Sequence, residues 1–123
     1  MDIRICIDVD DMERAIAFYT HGLGLGLGRR LGNDWAELLG GTSPVDLLLN
    51  ASGTAPLGES NPQRRSYARH WTPVHLDLHV EDLEAALARA IGAGAVQEQK
   101  FTNPEHGSAA FCSDPFGHGF CLL

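Results

Sequence analysis

The chain has 123 residues, 44% hydrophobic and 20% charged, with a net charge of −7 and a pI near 5.2. That size and balance describe one folded domain and exclude a disordered chain. The acidic charge argues against general nucleic-acid binding, which leaves a basic footprint, and the three cysteines, Cys6, Cys112 and Cys121, form no CxxC pair, which excludes a zinc ribbon or a thioredoxin-like motif.

The first element reads IRICIDVDD. Ile3, Ile5, Ile7 and Val9 alternate with Arg4, Cys6, Asp8 and Asp10, which predicts a strand with one buried face. The other face opens with arginine, cysteine and aspartate, an unusual series for a surface that meets only water. A helix follows: Asp11 stands at the N-cap, and Met12, Ala15, Ile16 and Tyr19 keep the i, i+3, i+4, i+7 spacing of a buried stripe. It ends near Gly22, where glycine can take a left-handed turn. The run GLGLGLG is not a dinucleotide loop. A GxGxxG register needs glycine where Leu27 or Arg29 stands, and the run follows a helix instead of a strand. Three strand-like runs come next, LGLGRRL, WAELL and VDLLLN, with the turn Gly40-Gly41-Thr42-Ser43-Pro44 before the last.

Residues 51–73 form a linker. Its first part is small, polar and rich in proline and glycine. Its second part carries Arg64, Arg65, Arg69, His70 and Trp71. It reads either as a solvated loop or as a basic flap over a pocket or subunit contact.

From Val74 the opening pattern returns. VHLDLHVEDLEAALARA lies under IRICIDVDDMERAIAFY with Val9 on Val80, Asp11 on Asp82, Glu13 on Glu84, Ala15 on Ala86 and Ala17 on Ala88. Asp82 is the second N-cap, and Leu83, Ala86, Leu87 and Ala90 form the second apolar stripe. This helix ends near Gly92 or Gly94. The strand-like runs AVQEQKF, SAAFCS and HGFCLL follow, with the turn Ser113-Asp114-Pro115-Phe116-Gly117 between the last two. Residues 1–50 and 74–123 are therefore two βαβββ units, a duplication and not a solenoid, which together make one α+β domain.

A duplicated βαβββ unit with VDDMERAIAFY and HGLGL, VEDLEAALARAIGAGA and the closing SDPFGHGF resembles the vicinal oxygen chelate superfamily. Its members include glyoxalase I, bleomycin-resistance proteins, extradiol dioxygenases, fosfomycin-resistance enzymes and methylmalonyl-CoA epimerase. The resemblance covers nearly the whole chain. It implies a curled mixed sheet, a half-barrel, with helices on the convex side and a ligand cavity on the concave side. Ile3, Ile5, Ile7 and Val9 would then pack on the helix. Arg4, Cys6 and Asp8, with their repeat partners His75, Asp77 and His79, would face one cavity as ligand-binding residues. Asp8 and His79 read equally well as a wet rim.

The resemblance also implies where a divalent metal would sit: one residue on the first strand and one on the last strand of each unit. Here those positions read Arg4, Leu48, His75 and Cys121. Arginine has no lone pair to donate, and its charge ~4 Å from a cation costs several kcal/mol even at an effective dielectric of about 20. The usual site is thus expected to be lost and no cofactor is expected; a degenerate divalent site on His75 and Cys121 is the alternative. His75, Asp77 and His79 form an HxDxH set, but i and i+2 neighbours on a strand are ~6.5–7 Å apart, so two of the three could share an ion and all three could not.

Cys121 reads either as a nucleophile activated by His75 or as a small apolar strand residue. Cys112 lies on the neighbouring strand. Trp35, Trp71, Tyr67, Phe101 and Phe111 either wall a cavity or pack in the core. Arg4 needs an anion, from Asp8, Asp77 or a ligand carboxylate or phosphate. Two function classes follow. The first is a bleomycin-resistance-like protein that binds a small organic ligand, anionic or aromatic, without metal. The alternative is a lyase, isomerase or dioxygenase that uses His75 with Asp77 or Cys121. A dimerising scaffold is the third. The resemblance implies a homodimer. No run approaches the ~20 apolar residues of a membrane span, and the start of the chain carries no leader-like apolar run, so a cytoplasmic protein with reduced thiols and no nucleic-acid or membrane partner is expected.

Overall fold

The computed structural model describes residues 1–123. In the first unit, strand β1 (Ile5–Val9) leads into helix α1 (Met12–Ala17), which widens into a π-type turn over Phe18–Gly22. Strands β2 (Gly26–Leu31), β3 (Trp35–Leu39) and β4 (Val45–Leu49) follow. The second unit repeats the order: β5 (Leu76–Leu78), α2 (Leu83–Gly92), β6 (Val96–Asn103), β7 (Gly107–Ser113) and β8 (Gly119–Leu122). The sheets run β1-β4-β3-β2 and β5-β8-β7-β6. In each, the first strand pairs in parallel with the last, and the remaining pairs are antiparallel. The two mixed sheets do not close into a barrel.

Both helices start where the sequence predicts. The Asp11 carboxylate accepts the Arg14 N–H at 3.0 Å and the Asp82 carboxylate accepts the Ala85 N–H at 3.0 Å. Each cap satisfies an amide the helix itself cannot. The apolar stripes of both helices enter one core shared by the two units, with Phe18, Phe116, Leu38, Leu47, Leu122 and Val9 fully buried. Phe18 stands edge-on to Tyr19 at 5.1 Å and to Phe120 at 6.2 Å. The Tyr19 hydroxyl donates to Asp114, which also accepts the N–H groups of Phe116 and His118 at 2.8 Å. Burial first, and then the Asp114 charge, holds the Tyr19 phenol well above its ordinary range. The SDPFG turn is therefore pinned by a buried carboxylate.

Two expectations change. Ile3 does not pack on the helix: it precedes β1 and is 63% exposed, because the strand ladder begins only at Ile5, opposite Val45. The second half of the linker is not a free loop: Arg69, Trp71 and Thr72 line a cavity of the second unit. Arg65 binds Asp8 at 2.8 Å, the Tyr67 hydroxyl donates to the Asn50 carbonyl, and Arg69 pairs with Glu98 of β6. The segment is a strap across both units. Gly117 lets it approach: with φ +83, its missing Cβ would lie 2.7 Å from the Tyr67 carbonyl oxygen. No helix is long and apolar enough to cross a membrane.

Candidate functional site

Strand alternation sorts the side chains into two faces. On β1, Ile5, Ile7 and Val9 join the helix-side core, so Arg4, Cys6 and Asp8 take the concave side. On β8, Phe120 and Leu122 join the core, which leaves Cys121 on the concave side. The chemistry then gathers in two centres, one in each unit.

In the second unit, Asp77 of β5 lies opposite Cys121 of β8, and His75 just precedes β5. His75 Nδ1 is 3.0 Å from Asp77 Oδ1 and 3.7 Å from Cys121 Sγ. One donor atom from each of the three lies within 4.8 Å of the others. The Trp71 ring sits 6.2 Å from the His75 ring, and Phe111, which pairs with Cys121, lies 5.6 Å from Phe101. A cavity of about 240 Å³ opens here, lined by Trp71, His75, Glu98, Phe111 and Cys121 among others. Cys121 is only 3% exposed. Burial first, and then Asp77, pushes its thiol up to about 11, so it stands as a thiol at neutral pH and not as a ready nucleophile.

In the first unit the same register brings Cys6 opposite Asp46. The structural counterpart of Cys121 is therefore Asp46 and not Leu48, which pairs with Asp8 two residues further on. The turn before β4 differs from the SDPFG turn, so counting from the turn slips the register by two. Arg4 donates to Asp46 from Nε at 2.9 Å and from Nη2 at 2.6 Å, and Nη2 also reaches Glu37 at 2.7 Å. Arg29 donates to Glu37 from Nε at 3.0 Å and Nη2 at 2.8 Å. Both carboxylates are buried. The anions that Arg4 requires are thus Asp46 and Glu37, not Asp8 or Asp77. Hydrogen bonds from Arg29 and then Arg4 hold the Glu37 carboxyl down to about 2, and Asp46 foremost raises the Arg4 guanidinium further above its ordinary value. Cys6, exposed, rests its sulfur 4.0 Å from Asp46.

The remaining candidates divide. Asp8 is not free: it accepts from Arg65 at 2.8 Å and from Asn50 at 2.9 Å, and its backbone carbonyl meets His118 Nε2 at 2.7 Å. His79 is exposed, is not part of the His75–Asp77–Cys121 group, and lines a cleft that also takes in Asp77. Tyr67 packs against the core, where burial before all else pushes its phenol up to about 12. Trp35 lies under the Arg29 guanidinium at 5.4 Å. Cys112 faces the helix side, opposite to Cys121, and all three cysteines are free. No hydrogen bond or ion pair joins Arg4's centre to His75's centre. Glu37 and Asp46 were missed from sequence. The signal was there: WAELL and VDLLLN each carry one acidic residue inside an otherwise apolar strand, and a buried acid needs a partner.

The four-residue metal set implied by the resemblance does not fit these residues. Its first-unit half holds a guanidinium already forked onto two carboxylates. His75, Asp77 and Cys121 alone offer nitrogen, oxygen and sulfur donors at spacings a tetrahedral ion could bridge.

The whole fold has close relatives among solved structures. SMU.1112c is 25% identical at a TM-score of 0.70, with 99% of this chain and 96% of that one covered. The lactoylglutathione lyase of Agrobacterium tumefaciens is 17% identical at a TM-score of 0.67, over 99% and 91% of the two chains. A mutant of the fosfomycin resistance protein FosX of Listeria monocytogenes, complexed with Mn(II) and 1S,2S-dihydroxypropylphosphonic acid, is 16% identical at 0.69, over 97% and 85%. No curated protein matches the chain. The glyoxalase-like domain matches residues 4–123, both βαβββ units together, and the chain belongs to that family.

Proposed function

We propose that the protein binds a small organic ligand on its concave faces without the four-residue divalent metal site of metal-dependent relatives. The observation that carries this reading is Arg4, whose guanidinium occupies the register position of His75 and is bound to Asp46 and Glu37. A cation is already resident where a metal ion would be shared. Because Arg4 is neutralised by two acids, an aromatic ligand is favoured over an anionic one. Trp71 and Phe111 supply ring faces to the second-unit cavity, and Phe101 lies beside Phe111. Both Trp71, at 70%, and Phe101, at 48%, are exposed in the single chain, which supports a homodimer that covers these faces. Three free thiols suit a reducing compartment such as the cytoplasm.

The test is metal content by mass spectrometry on protein purified without chelators, followed by a thermal-shift screen of aromatic compounds. No bound metal and a raised melting temperature with an aromatic ligand is the expected result. One divalent ion per chain would overturn it. It would favour the second reading, an enzyme of the lyase, isomerase or dioxygenase kind, which rests on the spacing of His75, Asp77 and Cys121. In that case these three residues hold the ion, and it would supply a Lewis acid. Cys121 would have to lose a proton held up to about 11 for it to bind. Without the ion, Asp77, 3.0 Å from His75 Nδ1, orients the imidazole instead.

A further inference from the structure

A cavity of about 630 Å³ opens away from the Arg4 centre and from the cavity at Cys121, with Asp77 and His79 on its wall. It lies between the units, walled by helix-side residues of the two first strands and their neighbours: Ile5, Leu23, Leu25, Leu76, Leu78 and Leu122. Its size falls within the range of small-ligand pockets. β1 and β5 are both sheet edges here, so the two units part along this line and neither sheet fills the gap.

One charged group distinguishes the cleft from a packing defect. Arg89 of α2 reaches into it at the end formed by the Gly22–Leu25 turn. Its Nε donates to the Gly22 carbonyl at 3.3 Å, and it has no carboxylate partner. Arg4, Arg29, Arg30, Arg65 and Arg69 have one, Arg14 lies over the Phe116 ring and Arg64 donates to backbone carbonyls. The acid on the cleft wall, Asp77, is engaged with His75. Thr42 and Ser43 of the β3–β4 turn also line the cleft. An unpaired guanidinium at one end of a leucine-walled cleft is complementary to an amphipathic anion.

We propose that this cleft is a second ligand site, distinct from the cavity at Cys121, and that it takes an apolar monoanion, an aliphatic or aryl carboxylate. The hydrocarbon part lies along Leu76, Leu78 and Leu122, and the carboxylate pairs with the free Nη atoms of Arg89.

The test uses decanoate as the probe, with 1-decanol as its neutral match, titrated into the full chain by calorimetry. Saturable binding of decanoate, about 10-fold or more tighter than decanol, is expected, because hydrogen bonds to a charged group are the strong ones. Arg89→Gln should remove that preference, and Arg89→Lys should keep part of it. Arg89 also holds the Gly22 carbonyl, so a second variant, Ser43→Trp, adds bulk to the cleft from the β3–β4 turn and should abolish binding while circular dichroism stays unchanged. Arg4→Ala should leave decanoate affinity within about 2-fold. Absence of saturable binding, equal affinity for decanol, or loss of binding in Arg4→Ala with Ser43→Trp unaffected would each overturn the proposal.

Discussion

The two concave centres occupy the same positions on the same strands and have opposite characters. In the first unit, Arg4, Asp46, Glu37 and Arg29 close on one another with every charge matched. In the second, His75 and Cys121 face a cavity walled in part by Trp71 and Phe111, and Asp77 lies beside His75. Glu37 in one is Phe111 in the other, since each stands opposite the key last-strand residue, Asp46 or Cys121. Duplication has kept the backbone and the caps and let the pair of side chains at each register position decide the chemistry. Function here resides in those pairs and not in the fold.

The largest effect that would break this contrast is the conversion of the first centre to the second. In Arg4→His the resident cation is replaced by a lone-pair donor next to two buried carboxylates. A unit charge ~4 Å from a cation costs several kcal/mol even at an effective dielectric of about 20, so its removal should raise affinity for Zn²⁺ or Mn²⁺ by about 100-fold or more. Calorimetric titration of the variant and the parent measures this directly. Equal, weak affinity in both would mean that Arg4 is not what keeps a metal out.

The turns that lead to the last strands differ as well. Gly40 has φ +119 with its nearest neighbour atom at 3.8 Å from a built Cβ, whereas Gly117 has φ +83 and meets the Tyr67 carbonyl at 2.7 Å. Gly40→Ala adds only the left-handed strain of ~1–2 kcal/mol. Gly117→Ala adds that strain and a backbone clash that must push the strap off, for a further ~1–3 kcal/mol of overpacking. Denaturant melts of the two variants should rank them in that order. Equal losses would show that the strap yields freely and is not fastened to the second unit.

The difference between the centres was only half legible in the sequence. The repeat, both helix caps and the alternation of β1 from Ile5 onward could be read because period-2 and period-3.6 patterns are local. Arg4 could be read as an obstacle to metal because its chemistry is intrinsic. What satisfies Arg4 could not, since Asp46 and Glu37 lie 42 and 33 residues away in the chain and the match depends on strand register. Leu48 was assigned in place of Asp46 for the same reason. The strap was obscured by composition: Arg65, Tyr67 and Arg69 look like loop residues until Asp8, Asn50 and Glu98 are placed beside them.

Thiol chemistry sharpens the comparison at smaller scale. Each centre holds one sulfur, Cys6 exposed in the first and Cys121 buried in the second, its thiol pushed up to about 11. At pH 8 a disulfide reagent should label one thiol per native chain quickly, and Cys6→Ser should remove that phase. Cys112 and Cys121 should react at least about 10-fold more slowly until denaturant is added, since reactivity follows thiolate fraction and access. A second fast thiol that His75→Ala abolishes would instead make Cys121 an activated nucleophile.

The mildest perturbation is acid, and its sign is fixed by Glu37. The carboxyl is held down to about 2 in the folded chain, against an ordinary value of about 4.5, by hydrogen bonds from Arg29 and Arg4. A group depressed on folding stabilises the fold above its unfolded value and loses that contribution as pH falls through the folded one. Between pH 4.5 and 2, therefore, the first unit should weaken progressively. The second has Phe111, which does not titrate, at that place. Amide exchange should then rise across β3 and β4 before it rises across β7 and β8 as pH falls through this window. Arg29→Gln removes the largest of the two hydrogen-bonding causes, so it should move the onset to higher pH and leave β7 and β8 unaffected. If both sheets lost protection together, with the onset unmoved in Arg29→Gln, the acid limit would lie elsewhere in the shared core and the ion-pair network of the first unit would carry no separate share of its stability.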